Sequence, residues 1–188
     1  MDGVYKFPWK QAVITLAVAL SVALIVNWAV LQFFGQKSAY RAEHSLVGIL
    51  LLMAYIAIRA DKQSPLRAVG FFCLAFVPCY LGTVFPDRDI TLLGIGGHRN
   101  PLFHSSLSFF LLWVCVRRNN AVLHTLVAGY GVGLASHLWW DVLYYGNVRW
   151  LPGDVIGRVW LGGHGLLCLI ASGTGVLRGS GSGMREDC

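Results

Sequence analysis

Residues 12–34, AVITLAVALSVALIVNWAVLQFF, form an almost unbroken apolar run, and further apolar runs follow at 45–58, 68–85, 102–116, 121–145 and 160–177. A helix needs about 20 consecutive apolar residues to cross a bilayer, and several of these runs approach or exceed that length. Inside lipid every backbone N–H and C=O must find its partner within the chain, so runs of this kind fold as helices. The expectation is an all-α, polytopic transmembrane helical bundle of about six spans. Composition points the same way: 56% of residues are hydrophobic and 13% charged, with a mean hydropathy of +0.60. An ordinary soluble domain carries about twice that charge. Ala19, Ser21 and Ala23 invite a signal-peptide reading of the first run. Its apolar core is too long for one, so it reads as a retained helix with Asn27 bonding a neighbour. Residues 1–178 then form a single transmembrane domain. The tail at 179–188, GSGSGMREDC, has linker composition and is expected to be disordered.

The formal charge of +6 does not signal nucleic acid. The basic residues sit in short loops between apolar runs, where they act as topology signals and meet anionic lipid. Bilayer and lipid are therefore the expected partners. Cys73, Cys79, Cys115 and Cys168 lie within apolar runs and no CxxC pair occurs, so neither a thiolate metal site nor a disulfide framework is indicated. With six spans, more of the 15 Lys and Arg residues fall on the side of the two termini. The positive-inside rule then places both termini in the cytoplasm. On that topology His44, His98, His104, His137 and His164 share the opposite face with Asp87, Asp89, Asp141 and Asp154, and His124 alone lies at the other. Helix midsections hold little polarity beyond Asn27, which argues against a transport path.

The stretch at 85–110 concentrates the chemistry. After Phe85 it reads PDRDITLLGIGGHRNPLFHSSLSFF, with aspartates, histidines and arginines between apolar segments. Such groups at a membrane boundary are costly unless partnered or functional. Asp87 and Asp89, spaced i and i+2, share one face if the backbone there is extended, as Pro86 favours for Phe85. They then present two carboxylates to one cation; the plainer reading is a solvated loop with Arg88 as a local ion-pair partner. His98 and His104 bracket the entry to the fourth run, with Pro101 suited to a first helical turn. Ser105 caps that helix or bonds a neighbouring ligand. Arg99 suits bidentate binding of phosphate or carboxylate, or snorkels to headgroups. His137 and Asp141 are four apart and share a helix face, as two ligands or as a histidine with its orienting carboxylate. His44 begins the second helix at the same level. His164 is a weaker candidate, His124 reads as structural, and Trp139 and Trp140 as interfacial anchors. Gly129 and Gly133 carry the spacing of close helix packing.

The candidate metal ligands are thus His44, Asp87, Asp89, His98, His104, His137 and Asp141. Imidazole and carboxylate without thiolate favour zinc first, with manganese, iron or magnesium also compatible. The set exceeds what one tetrahedral zinc uses, which leaves two metals or one metal with a supporting shell. The chemistry that fits is attack of activated water on an ester or phosphoester. Asp89 or Asp141 would be the general base and Arg99 the anion-binding group.

A histidine opening a helix (His44), then Pro86-Asp87-Arg88-Asp89, then His98-Arg99 through His104-Ser105, then a glycine-rich helix from Gly129 to Asp141: in that order these elements resemble the bacterial predicted membrane-bound metal-dependent hydrolase family. The resemblance covers residues 43–153. It implies an inner-membrane helical protein with metal-ligating His and Asp residues, acting on a substrate the family does not specify. Two departures stand out. The His98–His104 gap is one residue longer than the HRGFTHS-like form, and Ile90 follows Asp89 where a histidine is common. The leading expectation is a membrane-embedded metal-dependent hydrolase of a lipid-linked or membrane-partitioning ester or phosphoester. Its rivals are a non-enzymatic protein with a structural metal site or assembly role, and a transporter.

Overall fold

Asparagine 100 heads a single turn at the start of the fourth apolar run. In the computed structural model, which describes residues 36–59, 65–116 and 120–178, its carbonyl accepts from the N–H groups of Phe103 and His104 at 3.0 and 2.9 Å. Its side-chain oxygen accepts from the Leu102 N–H at 2.9 Å. These bonds make one capped turn over residues 100–104 with Pro101 inside it; the turn is not continued past His104, and the helix begins only at Leu107.

The helices are α1 (Gln36–Arg59), α2 (Pro65–Val84), the short α3 (Arg88–Leu93), α4 (Leu107–Cys115), α5 (Ala121–Tyr144) and α6 (Gly153–Arg178), with a 3-10 turn at Ile95–Gly97 after α3. Among the described residues the structure is all-helical. Three boundaries differ from the sequence expectation. The polar segment 36–43 is already helical, so His44 sits inside α1 rather than at its start. α4 is about 14 Å long at 1.5 Å per residue, roughly half a bilayer core. α6 begins at Gly153, seven residues before the apolar run at 160–177. Pro78 lies within α2 without ending it. The apolar run at 12–34, the loop cations Arg117 and Arg118 and the tail at 179–188 lie outside the described residues.

Helix α5 is the centre of the arrangement and packs on α1, α2, α4 and α6. Its crossing with α2 is made by small residues. A Cβ on Gly129 would lie 2.5 Å from the Ala75 carbonyl oxygen, and one on Gly133 would collide with the Cys79 carbonyl. The Gly129–Gly133 spacing thus lets two backbones touch, as its pattern suggested. One core gathers Phe109, Leu134, Leu138 and Leu161 at 0% exposure between α4, α5 and α6. A second joins Leu52, Ala75, Cys79 and Val132.

Among the described residues two helices are long and apolar enough to cross a membrane, Ala121–Tyr144 and Gly153–Gly173. The apolar parts of α1 and α2 are shorter, Glu43–Ala57 and Ala68–Val84. The two long helices differ in setting: 78% of the α5 window is buried inside the protein against 28% of the α6 window. Helix α6 accordingly turns Val155, Val159, Leu166 and Ile170 outward.

Candidate metal centre

Five segments meet where α2 ends. His44 comes from the middle of α1, Asp87 from the turn after α2, Asp89 from α3, His98 and His104 from the loop before α4, and His137 and Asp141 from one face of α5. The rings of His44 and His137 are 4.6 Å apart, those of His104 and His137 5.5 Å, and those of His98 and His104 5.5 Å. All seven residues singled out from the sequence as candidate ligands are therefore in one cluster. They form overlapping triads, His44–His137–Asp141, Asp87–His104–His137 and Asp89–His98–His104, each with its donor atoms within 4.8 Å of one another.

The innermost atoms converge without bonding to each other. Asp141 Oδ2 lies 3.4 Å from His104 Nε2 and 3.7 Å from His137 Nε2, and Asp87 Oδ1 lies 3.8 Å from His137 Nε2. His104 Nε2, His137 Nε2 and Asp141 Oδ2 are buried and lack a hydrogen-bond partner, as does His104 Nδ1 on the far side of its ring, beside Asp89. An unpartnered buried polar atom costs about 1–3 kcal/mol, so three facing one point need an explanation. Tetrahedral ligands about 2.0–2.2 Å from a zinc ion stand about 3.3–3.6 Å apart. The observed separations are within a few tenths of an ångström of that spacing, so the donor set fits a small divalent cation.

The outer atoms of the same side chains set the inner ones. A carbonyl only accepts, so the 2.7 Å contact between His137 Nδ1 and the Thr83 oxygen requires a proton on Nδ1 and leaves Nε2 as a lone pair facing the cluster. His104 Nδ1 lies 3.3 Å from Asp89 Oδ2, which places the negative charge that favours the same tautomer. Carbonyl- or carboxylate-backed imidazoles of this kind are the usual support of metal-binding histidines. Asp89 itself is 0% exposed and fully engaged: Oδ1 accepts from His98 Nδ1 at 3.2 Å and Oδ2 from the Asn100 N–H at 3.0 Å. Burial pushes the Asp89 carboxyl up, but the His104 side chain, the Asn100 amide and the His98 ring outweigh it and hold its pKa at about 2.

The two aspartates of the PDxD segment do not share a face. Asp87 has φ −69° and ψ −5°, a helical rather than extended backbone. An i, i+2 pair on a helical path points in nearly opposite directions. Asp87 turns to His137 and keeps a third of its side chain exposed, and Asp89 turns inward to His98 and His104. Arg99 is also placed differently from an anion clamp. Its backbone is left-handed at φ 58°, its guanidinium bonds the Asn147 side chain, and its Cζ lies 4.0 Å over the Tyr145 ring. The Arg149 N–H donates to its carbonyl at 3.0 Å. Arg99 therefore fastens the loop after α5 to the His98 segment.

Helix α6 supplies an anchor that sequence reasoning missed. The Trp160 indole N–H donates to the His104 carbonyl at 2.9 Å, and Ser106 Oγ lies 2.7 Å from His164 Nδ1. These contacts flank His104 and tie its loop to α6, so His164 supports the centre from outside it. Ser105 is likewise local, its Oγ donating to the Leu102 carbonyl at 3.1 Å. Thr83, Asn100 and Trp160 had no signal in the sequence, because each acts through a contact with a main-chain group on one side, the Thr83 carbonyl, the Asn100 N–H and the His104 carbonyl, that the fold brings close. His124 packs against Trp113 near the far end of α5, away from the cluster. Compared with protein-family models, with curated proteins and with solved structures, the chain has no match.

Proposed function

We propose that this protein is a polytopic membrane protein holding one divalent metal ion, zinc first, and that it hydrolyses an ester or phosphoester that partitions into the membrane. The observation that carries the reading is the convergence of His104 Nε2, His137 Nε2 and Asp141 Oδ2, buried and unpartnered, at metal-ligand spacing. Asp87 completes the set on its open side, with His44 next to it.

One metal is favoured over two. His104 faces Asp89 through Nδ1 and Asp141 through Nε2. A neutral imidazole offers one lone pair, so it serves one ion and keeps its proton toward the other carboxylate. Asp89 and His98 are then support for His104 rather than a second centre.

A divalent ion bound there supplies Lewis acidity, lowering the pKa of a water and polarising the scissile oxygen. Asp87 is the carboxylate of the set that is open to solvent, which suits it to take the water proton, the role first assigned to Asp89 or Asp141. In the balanced reaction the water oxygen bonds to the carbonyl carbon or phosphorus, the ester C–O or P–O bond breaks, and the proton ends on the departing alkoxide. No side chain need form a covalent intermediate.

The resemblance to the membrane-bound metal-dependent hydrolases supports this reading through its motif order. It points to the bacterial inner membrane, and the distribution of Lys and Arg places both termini in the cytoplasm with the centre at the opposite face. Elemental analysis of gently purified protein tests the core of the proposal. One zinc, manganese or iron per chain, with hydrolysis of a chromogenic ester or phosphoester abolished by chelation and restored by the metal, is the expected result. Metal-free protein with chelator-insensitive activity would overturn it.

A further inference from the structure

A cavity of about 470 Å³ opens beside the centre, and its walls differ in chemistry. His44 and Asp87 form the end nearest the centre. Arg88 and Thr91, one turn apart on α3, form a second polar wall, and Tyr80, Leu81 and Val84 from the last turns of α2 form an apolar one. The plainer reading of the PDxD segment paired the Arg88 guanidinium with a neighbouring aspartate. Among the described residues it pairs with none, since Asp87 faces His137 and Asp89 faces His98 and His104. It is an exposed cation at a cavity mouth, in the role that the sequence suggested for Arg99 and that Arg99, held by Asn147 and Tyr145, does not fill.

The apolar wall continues outside the cavity. Phe76, Val77, Tyr80 and Leu81 are 38, 59, 47 and 50% exposed, a stripe at helical spacing along the outer face of α2. The stripe runs along α2 directly into the cavity. Cavities of about 300–1,000 Å³ hold small ligands. This one has room for a headgroup and the first carbons of a chain, and a longer chain must leave it, where α2 offers a surface to lie on.

We infer that the cavity binds an anionic amphiphile, with a phosphate-type headgroup between Arg88 and the metal centre and its apolar chain along Tyr80, Leu81 and the outer face of α2. This names the substrate class for the hydrolase reading and rests on it in one respect. Asp87 lines the same cavity and would repel an anion unless a cation lies beside it, so headgroup binding requires the metal. Arg88 presents two parallel N–H donors to a phosphate, which a lysine does not.

The test uses the full chain in neutral maltoside micelles, metal-loaded or chelator-treated, with metal content measured on every sample and binding followed by calorimetry. The probes are dodecyl phosphate, inorganic phosphate and dodecanol. Dodecyl phosphate is expected to bind metal-loaded protein at least tenfold more tightly than either other probe, and to lose that advantage on chelation. Arg88→Gln, an exposed position whose replacement leaves the packing intact, is expected to weaken dodecyl phosphate at least tenfold at unchanged metal content. Arg88→Lys should recover part of the loss. Leu81→Gln is expected to weaken dodecyl phosphate and leave inorganic phosphate unaffected. Equal affinity for inorganic and dodecyl phosphate would make this a free-phosphate site and overturn the inference, as would wild-type affinity in Arg88→Gln. Either result with metal still bound leaves the hydrolase reading standing, whereas wild-type protein that takes up no metal removes that reading itself.

Discussion

Helix α5 buries a histidine toward each end, and the two have opposite surroundings. His124 is 8% exposed, both its ring nitrogens lack hydrogen-bond partners, and its nearest ring is Trp113. His137 is 1% exposed, its Nδ1 is bonded to the Thr83 carbonyl, and its Nε2 faces Asp87 and Asp141, with the rings of His44 and His104 beside it. Burial and an unpartnered nitrogen are common to both. What distinguishes His137 is that one nitrogen is fixed by a carbonyl while the other is aimed at carboxylates from two separate segments. A buried histidine alone is a packing residue with an unsatisfied polar atom; convergence of several with carboxylates, one of them fixed by a carbonyl, makes a candidate site.

The largest effect that would break this contrast lies at the inner ligands. His137→Gln and Asp141→Asn are each expected to reduce bound metal to below a tenth of one ion per chain, measured by elemental analysis after mild dialysis. His124→Gln should keep its metal. Equal loss at both ends of α5 would mean that metal content follows the integrity of the helix rather than the donor set.

How much of this the sequence revealed depends on which part is considered. The histidines and aspartates that meet were readable, because they are the few such groups set between or within apolar runs, concentrated at 86–104 and at the His137–Asp141 pair. The 3.6-residue period placed His137 and Asp141 together, and the glycine spacing foretold the contact with α2. Local geometry was not readable where tertiary partners decide it. The pair Asp87 and Asp89 divides between His137 on one side and His98 and His104 on the other because the chain turns helical immediately after Pro86. The fourth apolar run opens with a single turn capped by Asn100 that is not continued past His104, and the helix itself starts at Leu107. Arg99 is no free anion clamp because Asn147 and Tyr145, far along the chain, claim its guanidinium. Thr83 and Trp160 act through a backbone carbonyl and an indole N–H, which no spacing rule detects.

Midway along α5 lies a second kind of contact, where no atom is left unpartnered by design and the danger is steric. Gly133→Val would press a side chain into the Cys79 carbonyl. The strain is expected to cost about 1–3 kcal/mol or more and to lower the thermal transition in detergent before any change in the ligands themselves. Because α2 carries Thr83, metal affinity should fall with it. A variant that unfolds earlier yet binds metal normally would show that the crossing and the centre are mechanically independent.

Asp89 separates ligand from support. Removing an outer carboxylate behind a metal-binding histidine typically costs 10–100-fold in affinity. Asp89→Asn is therefore expected to weaken metal binding by roughly that factor while stoichiometry at saturation stays at one ion; a fall from two ions to one would instead make Asp89 part of a second centre. The same residue predicts the acid behaviour of the metal-free protein. Its folded pKa of about 2 is below the ordinary carboxylate value, so its stabilising contribution is complete above about pH 4 and is lost as pH falls toward 2. In chelator-treated samples the wild type should lose stability across that interval, and Asp89→Asn, already lacking the charge, should show a flatter profile there.

The smallest effect is expected at His124, and it sharpens the contrast most directly. Replacing it by Leu keeps the volume facing Trp113 and removes two unpartnered ring nitrogens whose burial is a cost. Stability in detergent should therefore change by no more than about 1 kcal/mol, and in the favourable direction if the nitrogens make no bond in solution. The equivalent His137→Leu removes the same kind of ring from a site where Asp87 and Asp141 face it, so it leaves two carboxylates without their partner and should destabilise the fold as well as abolish metal binding. If the two leucine variants behaved alike, the oriented lone pair at His137 would have no more consequence than the unoriented one at His124, and the assignment of the centre would fail at its root.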